Sequence, residues 1–588
     1  MLSMNKAVLI YDTVKYMTWR QWRYRLYYGL RNLFIKRKVK YRNDIKKVHR
    51  LGYLYSSNKA NYSSLYEASD ILQNIFSTVS GKKVLFQEEI DWDLKNDSYR
   101  LACFRLNAFK WLLCLSDAFV LTGNQEYINK GFSLILDWQK CNGNLISGDK
   151  WNPYVIAERL MHWIGFISIY CEDNNLLLEY GNWIYAQASE LKKSMEFQLG
   201  CNHLLSEARA LMYAGAFLKD AYLYNYGQEV LLEEIKEQFL ADGGHYERSV
   251  SYHVESLQQC FEAAVLMDEQ EDPKYENLKS LLFQPYLYLN SMIMTDGNIP
   301  LVNDAAIDYP FLASDFLNTA LYFGWKANNA VSGSYSSRWN LACRNEDNLG
   351  TQEFFKETGF FKGNFNFANK AVSLFFDVGN NGPDYNLGHT HADSLNILMT
   401  INKQCILADS GVFTYKPGTE RNTCRSTAAH NTVEIDGMNS SEIWSAFRVG
   451  KRAYTNIEEF REAENTTIIT ASHDGYEKML AYSVKHSRTL KIYKDKAIIE
   501  IIDTFDTSSN NHTGIIRFHI GCRCKVQKID DMRIQIDDDC IFEFSAPVEL
   551  QQCKIAAMFG KLEDTICLTS KFTVEDSCQY KTVIKILN

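Results

Sequence analysis

Between Leu387 and Asn431 the chain reads LGHTHADSLNILMTINKQCILADSGVFTYKPGTERNTCRSTAAHN. This span places His389, His391 and His430 beside Asp393 and Asp409, in a chain with only 12 histidines. Imidazoles and carboxylates at such density suit metal binding or proton transfer, whereas a single histidine is more often structural. His391, Asp409 and His430 fall on separate strands or loops and can converge as a metal set. Zinc accepts such ligands, with water or substrate as the fourth. His389 lies two residues from His391, so on a strand both would face one side. A loop after Gly388 aims them apart and leaves His389 for a cleft. The plainer reading of the whole span is a loop with ordinary polar turns.

Two other places carry polar groups that packing alone does not require. Asn202-His203 opens NHLLSEARALMYAGAFL, where the asparagine also reads as a helix cap beside a surface histidine. DGGHYERSVSYH runs from Asp242 to His253, and its Gly243-Gly244 pair permits close backbone approach. Behind the glycines come Glu247, Arg248, Tyr252 and His253. The last two are expected at a helix start facing a cleft, or as a packed tyrosine after a polar turn.

These residues need elements to hold them. From about Tyr62 to Ala330 apolar residues recur at three and four positions, as in NPYVIAERLMHWIGFISIY, with short turns such as Thr122-Gly123-Asn124 between helices. Successive hairpins predict a bundle, a solenoid or a closed toroid. After about Asn345 the pattern alternates in short segments, including KAVSLFFDVG, SLNILMTI, TVEIDG, TIITASH, KAIIEIID, TGIIRFHI, DMRIQI and KTVIKIL. The expected architecture is therefore multidomain, α then β: an arm over 1–55, a helical domain over 56–345 and an antiparallel β-sandwich over 346–588.

Composition narrows the classes. A 588-residue chain with 46% hydrophobic residues and 8 prolines is globular and has no low-complexity tract. A net charge of -8 argues against nucleic acid as a general partner. The 15 cysteines include no CxxC pair, only Cys522-Arg-Cys524, and suit reduced thiols. The N-terminal apolar run is too interrupted for a signal segment, so a cytoplasmic location is expected, with the periplasm as second choice. From Val14 to Arg50 basic residues interleave with Trp19, Trp22, Tyr24 and Tyr27. That stretch reads as an arm packed on the body by its aromatic face, or as an interfacial helix making peripheral membrane contact.

Taken together, NHLLSEARALMYAGAFL, DGGHYERSVSYH and the GHTHADSLNILM, ILADSGVFTY and RSTAAHNTVEIDG segments resemble the heparinase II/III family of polysaccharide lyases. WNPYVIAERLMHW, SEIWSAFRVGKRA and HDGYEKMLAYSVKHSRTL extend the likeness from about Tyr99 to His519. The resemblance implies an N-terminal (α/α) toroid followed by a β-sandwich, and β-elimination on an acidic, uronate-containing polysaccharide. Such an enzyme neutralises the uronate carboxylate, removes the weakly acidic C5 proton and protonates the departing O4. By resemblance, Asn202 binds the carboxylate, Tyr252 is the acid and also a candidate base, and His203 and His389 share base and orienting work. Arg248 and Arg425 are then expected to lower the Tyr252 pKa from its ordinary value of about 10 and to bind acidic sugar, with Glu247 and His253 completing the substrate-binding set. His391, Asp409 and His430 are implied as the ligands of a structural Zn2+ ion. The family's secreted members begin with an export signal, and here a basic aromatic arm stands instead.

Two competing readings remain. A glycoside hydrolase on a helical toroid would use two carboxylates such as Asp242 and Glu247, and its products would lack the unsaturated uronate of a lyase. A non-catalytic glycan-binding protein of surface polysaccharide assembly would keep the fold without turnover.

Overall fold

The computed structural model describes residues 2–34, 37–42, 44–51, 61–95, 99–339, 341, 347–351, 353–367, 369–480, 483–507 and 512–587. Both expected domain boundaries, at 55/56 and 345/346, fall outside these residues. Two helices form the arm, α1 (Leu2–Val14) and α2 (Trp19–Phe34). The helical region follows with α3 (Ser64–Leu72), α4 (Arg100–Ala108), α5 (Leu112–Thr122), α6 (Glu126–Asn142), α7 (Pro153–Tyr170), α8 (Asn174–Ser194), α9 (Cys201–Leu218), α10 (Ala221–Gln238), α11 (Val250–Glu269) and α12 (Tyr275–Met292).

Local chemistry sets their limits. Asn152 caps α7 by accepting from the Tyr154 amide, with Pro153 in the first turn, and Asp173, Asp220 and Ser249 cap α8, α10 and α11. Gly123, in the left-handed region, ends α5 at the turn expected there. The central helix is α9, buried on nearly every side and packed on α7, α8, α10 and α11. A Cβ on Gly215 would lie 2.4 Å from the Tyr224 amide nitrogen and one on Gly227 2.6 Å from the Ala208 carbonyl oxygen, so both glycines let α10 approach α9 closely. Side chains such as Leu204, Leu211 and Phe217 are fully enclosed, each contributing roughly 1.5–3 kcal/mol by leaving water.

The C-terminal region is built of antiparallel sheets. A five-stranded meander runs from Phe354 to Leu407 and is followed by four- and eight-stranded sheets, all three contributing to one apolar core distinct from the helical one. The expected strands appear, KAVSLFFDVG as Lys370–Asp377 and TGIIRFHI as His512–His519 among them. The Leu387–Asn431 span itself is mostly loop around the strands Ile397–Ile401 and Gln404–Leu407 and the short helix Thr419–Arg425.

The halves meet along the segment 303–307. Ser249 Oγ donates to the Asp304 carbonyl at 2.5 Å, Ser251 Oγ donates to the Ala306 carbonyl at 3.0 Å, and the Ile307 amide donates to Ala557 at 2.9 Å. The arm braces the same seam. On the helical side Arg20 pairs with Glu234 at 2.7 Å and Arg31 with Glu190 at 2.9 Å. On the β side Gln21 donates to the Tyr385 carbonyl at 3.1 Å, Trp444 Nε1 donates to Thr13 Oγ1 at 3.1 Å, and Arg452 Nη2 donates to the Asp12 carbonyl at 3.3 Å.

Candidate active site

The first candidate pair sits at the start of α9. The turn before it uses Gly200 at φ 73° and Cys201 at φ 63°, a left-handed conformation costly for a non-glycine residue, held by the Cys201 amide donating to the Tyr246 hydroxyl at 2.8 Å. Asn202 is not the helix cap, which is Gly200, and its Oδ1 is buried without a hydrogen-bond partner among the described residues. An orphaned amide oxygen is an unused acceptor, open to a donor such as a sugar hydroxyl, while Nδ2 is the atom that can donate to a carboxylate. His203 Nδ1 lies 2.6 Å from Glu196 Oε2, and its ring stacks on Tyr154 at 4.5 Å. Burial works against the charged imidazole, yet the Glu196 carboxylate outweighs it and raises the His203 pKa.

The second group gathers at the N-terminus of α11, where Arg248, at φ 54°, supplies the other left-handed turn. The Tyr252 ring stacks on His389 with centroids 3.7 Å apart, and its hydroxyl lies 3.1 Å from that of Tyr415. His389 Nδ1 donates to Asp304 Oδ2 at 2.9 Å, which leaves Nε2 as the nitrogen with a free lone pair, 4.0 Å from Glu247 Oε1. The Glu247 carboxyl is buried without a hydrogen bond among the described residues; burial raises its pKa, with His389 and His203 opposing. A relay joins the two groups. Tyr154 and Tyr309 donate to opposite oxygens of Glu255 at 2.9 and 3.0 Å, Tyr154 stacks on His203, and the Tyr309 ring lies 5.8 Å from Tyr252.

Asp304 organises the β-domain side. His389 and His391 donate to its two oxygens at 2.9 and 2.8 Å, and Arg421 grips both at 2.5 and 2.7 Å. Burial would raise this carboxyl, but Arg421 and the two imidazoles hold it well below the usual carboxylate range. The loop after Gly388 thus turns His389 toward the cleft and His391 inward on one shared acceptor.

Behind it, His430 Nδ1 donates to Asp409 Oδ2 at 2.9 Å, and the His391 and His430 rings lie 5.3 Å apart. Among the described residues His391 Nδ1 and His430 Nε2 are both buried without partners, ring nitrogens of the kind a zinc ion takes. Asp409 Oδ2 also accepts from Asn396 at 2.7 Å and its Oδ1 from the Gly411 amide at 3.2 Å, hydrogen bonds that a ligating carboxylate keeps. It orients His430. Among the described residues no three His, Cys, Asp or Glu groups are arranged around a common metal position.

Several expected assignments are corrected. Arg248 donates from Nε to the Thr358 carbonyl at 2.7 Å and from Nη2 to Glu357 at 3.2 Å, so it ties the β region to α11. Arg425 is fully buried and donates to the carbonyls of Thr390, Ser445 and Arg448, which fastens loops and leaves nothing for sugar. His253 faces the core, with Nε2 on the Pro285 carbonyl at 3.1 Å and its ring against Tyr288. Neither Arg248 nor Arg425 lowers the Tyr252 pKa; burial, then Tyr415 and Tyr309, push it well above the ordinary value, so Tyr252 rests as a proton donor. Asp242 is engaged by the Thr358 amide and hydroxyl at 2.7 and 2.8 Å, which removes it as a partner for Glu247 in a hydrolytic pair.

Asp304, Tyr415, Arg421 and Glu196 escaped the sequence reading. Tyr415 and Arg421 lie inside the histidine-rich span and were within reach. Asp304, in PLVNDAAIDYP, carries no local signal, because its partners are more than 80 positions away.

The Heparinase II/III N-terminus family matches residues 26–328, and the Heparinase II/III-like, C-terminal family matches residues 349–570. The chain is 26% identical to a heparin-sulfate lyase of Pedobacter heparinus over 379 residues, covering 59% of this chain but only 53% of that enzyme, so the match spans about half of the relative's length. It is 22% identical to a heparin-sulfate lyase of Bacteroides stercoris over 574 residues, covering 88% of this chain and 80% of that one. Among solved structures, a heparinase III superposes with TM-score 0.73 at 16% identity, covering 98% of this chain and 93% of that chain. A chondroitin AC lyase of Streptomyces coelicolor A3 superposes with TM-score 0.54 at 9% identity, covering 89% and 78%. Both likenesses show the fold, a helical toroid followed by β-sheets, as expected. With both of its halves matched in order and the tyrosine of one half stacked on the histidine of the other, the chain belongs to the heparinase II/III family.

Proposed function

We propose that the chain is a polysaccharide lyase that cleaves a uronate-containing, acidic glycosaminoglycan by β-elimination. The observation that carries this reading is the Tyr252–His389 stack, which joins a side chain of the helical half to one of the β half. The uronate carboxylate binds at Asn202 and at the His203 imidazolium, which makes the C5 proton easier to remove. His389 Nε2 takes that proton, the C4–O4 bond breaks as C4=C5 forms, and the Tyr252 hydroxyl donates its proton to O4. The imidazolium then returns a proton to the tyrosinate beside it. The relatives' names, heparin-sulfate lyase and chondroitin AC lyase, support an acidic glycosaminoglycan as the substrate class.

Incubation of the chain with a panel of heparan, chondroitin, hyaluronan and alginate polymers should release products with the ultraviolet absorbance of an unsaturated uronate. Tyr252→Phe should lower the rate about 10²- to 10⁴-fold. Saturated products alone, or full activity in the variant, would sink this assignment.

His391, Asp409 and His430 would hold a zinc ion. When bound, the metal supplies a cross-link within the β region. Stoichiometric zinc in the purified chain, and a fall in Tm with chelator that His430→Ala abolishes, are the expected results; a metal-free chain whose Tm ignores chelator would remove zinc from the account.

A further inference from the structure

Among the described residues, none covers the face of α2 turned away from the body. Its inner face is engaged through Arg20, Gln21, Tyr24, Tyr28 and Arg31, the tyrosines reaching Phe197 and the Met195 carbonyl. Its outer face carries Trp19, Trp22, Leu26, Leu30 and Leu33, spaced three, four, four and three residues apart and therefore in one stripe. These side chains are 80%, 47%, 65%, 48% and 78% exposed. Scattered apolar residues at a surface are ordinary, but a continuous stripe led by two tryptophans is not.

Charge identifies what the stripe meets. Residues 1–50 hold fourteen Lys and Arg against two Asp, in a chain of net charge -8. Carboxylates of the body engage Arg20 and Arg31, while Arg23 in the stripe and Lys38, Lys40, Lys46 and Lys47 beyond it are exposed. A soluble acidic glycan would match the charge and leave the leucines wet. A second copy would cover the leucines and bring two strongly basic arms together. An anionic bilayer answers both demands: tryptophan rings settle at headgroup depth, leucines enter the acyl boundary, and the cations meet lipid phosphates.

We propose that α2 docks the protein on an anionic membrane surface, lying in its plane with Trp19, Trp22, Leu26, Leu30 and Leu33 buried. The packed inner face and the docked outer face are compatible, because opposite sides of one helix serve them. No helix among the described residues is long and apolar enough to cross a membrane, so the contact is peripheral. This inference is independent of the lyase reading, and its test does not use turnover.

The full chain is floated with vesicles of phosphatidylcholine containing phosphatidylserine and with vesicles of phosphatidylcholine alone. Flotation with the first only, lost as salt rises, is expected. The triple variant Trp19→Ser, Trp22→Ser, Leu26→Ser should weaken binding about a hundredfold while its Tm stays unchanged. Arg23→Gln should weaken it about fivefold. Absence of flotation, equal binding by the triple variant, or concentration-dependent dimers in sedimentation that the triple variant abolishes would each overturn the proposal.

Discussion

At the scale of single residues, His203 takes its protonation state from the carboxylate beside it. His203 has its pKa raised by Glu196 against the effect of burial, so it stays charged above the ordinary histidine value of about 6.5. The sign follows: the pair's contribution to stability is fully present below about pH 6.5 and is lost as pH rises through the raised value. If the imidazolium binds the uronate, the alkaline limb of the kcat/KM profile reports the same titration. Glu196→Gln should shift that limb to lower pH and raise KM about tenfold, as expected for a charge-assisted bond removed from ground and transition state alike. An unmoved limb would show that His203 is not the group titrating. The residue types of this site were legible where function demands unusual chemistry in a short span, as at Leu387–Asn431 and Asp242–His253. Which atoms face the cleft was not legible, because Arg248, His253 and Arg425 satisfy partners distant in sequence.

At the scale of elements, Asp304 joins the 303–307 segment, the loop of His389 and His391, and the Thr419–Arg425 helix. Asp304→Asn removes the charge that Arg421 faces in a fully buried setting, so a loss of about 3–5 kcal/mol is expected in denaturant unfolding. Because its carboxyl is held below the usual range, this contribution is present above about pH 4 and is lost as pH falls through the depressed value. Acid unfolding should therefore be less steep in the variant. Helix α7 was readable from periodicity. The strand Val484–Tyr493 was not, since its inward positions include His486 and Arg488 beside Asp503 of the next strand, and a buried ion pair erases the apolar alternation.

At the scale of the whole molecule, the arm spans both halves at the seam where the site lies. A small cavity of about 40 Å³ sits there, lined by Gln21 and Arg25 of the arm together with Leu387 and Phe447. Arg452 stacks on Tyr16 at 3.8 Å and donates to Asp12, so Arg452→Ala should loosen the arm. Faster proteolysis within residues 15–45, with the rest of the chain intact, is the expected outcome; an unchanged digestion pattern would show that the helical-side contacts suffice. The helix-then-strand order was evident from the change of hydrophobic period near Asn345. The brace was open to two readings, since a basic aromatic helix looks alike whether its partner is protein or lipid.

One carboxylate that answers to His389, His391 and Arg421 together also limits how such a site can change over time. A substitution that retunes the cleft histidine disturbs the inner histidine through the same two oxygens, so neither can drift alone. Asp304, His389, His391 and Arg421 should pass through a lineage as a single heritable unit. Diversification toward new glycans would then fall on residues outside that unit, on the walls of the cleft.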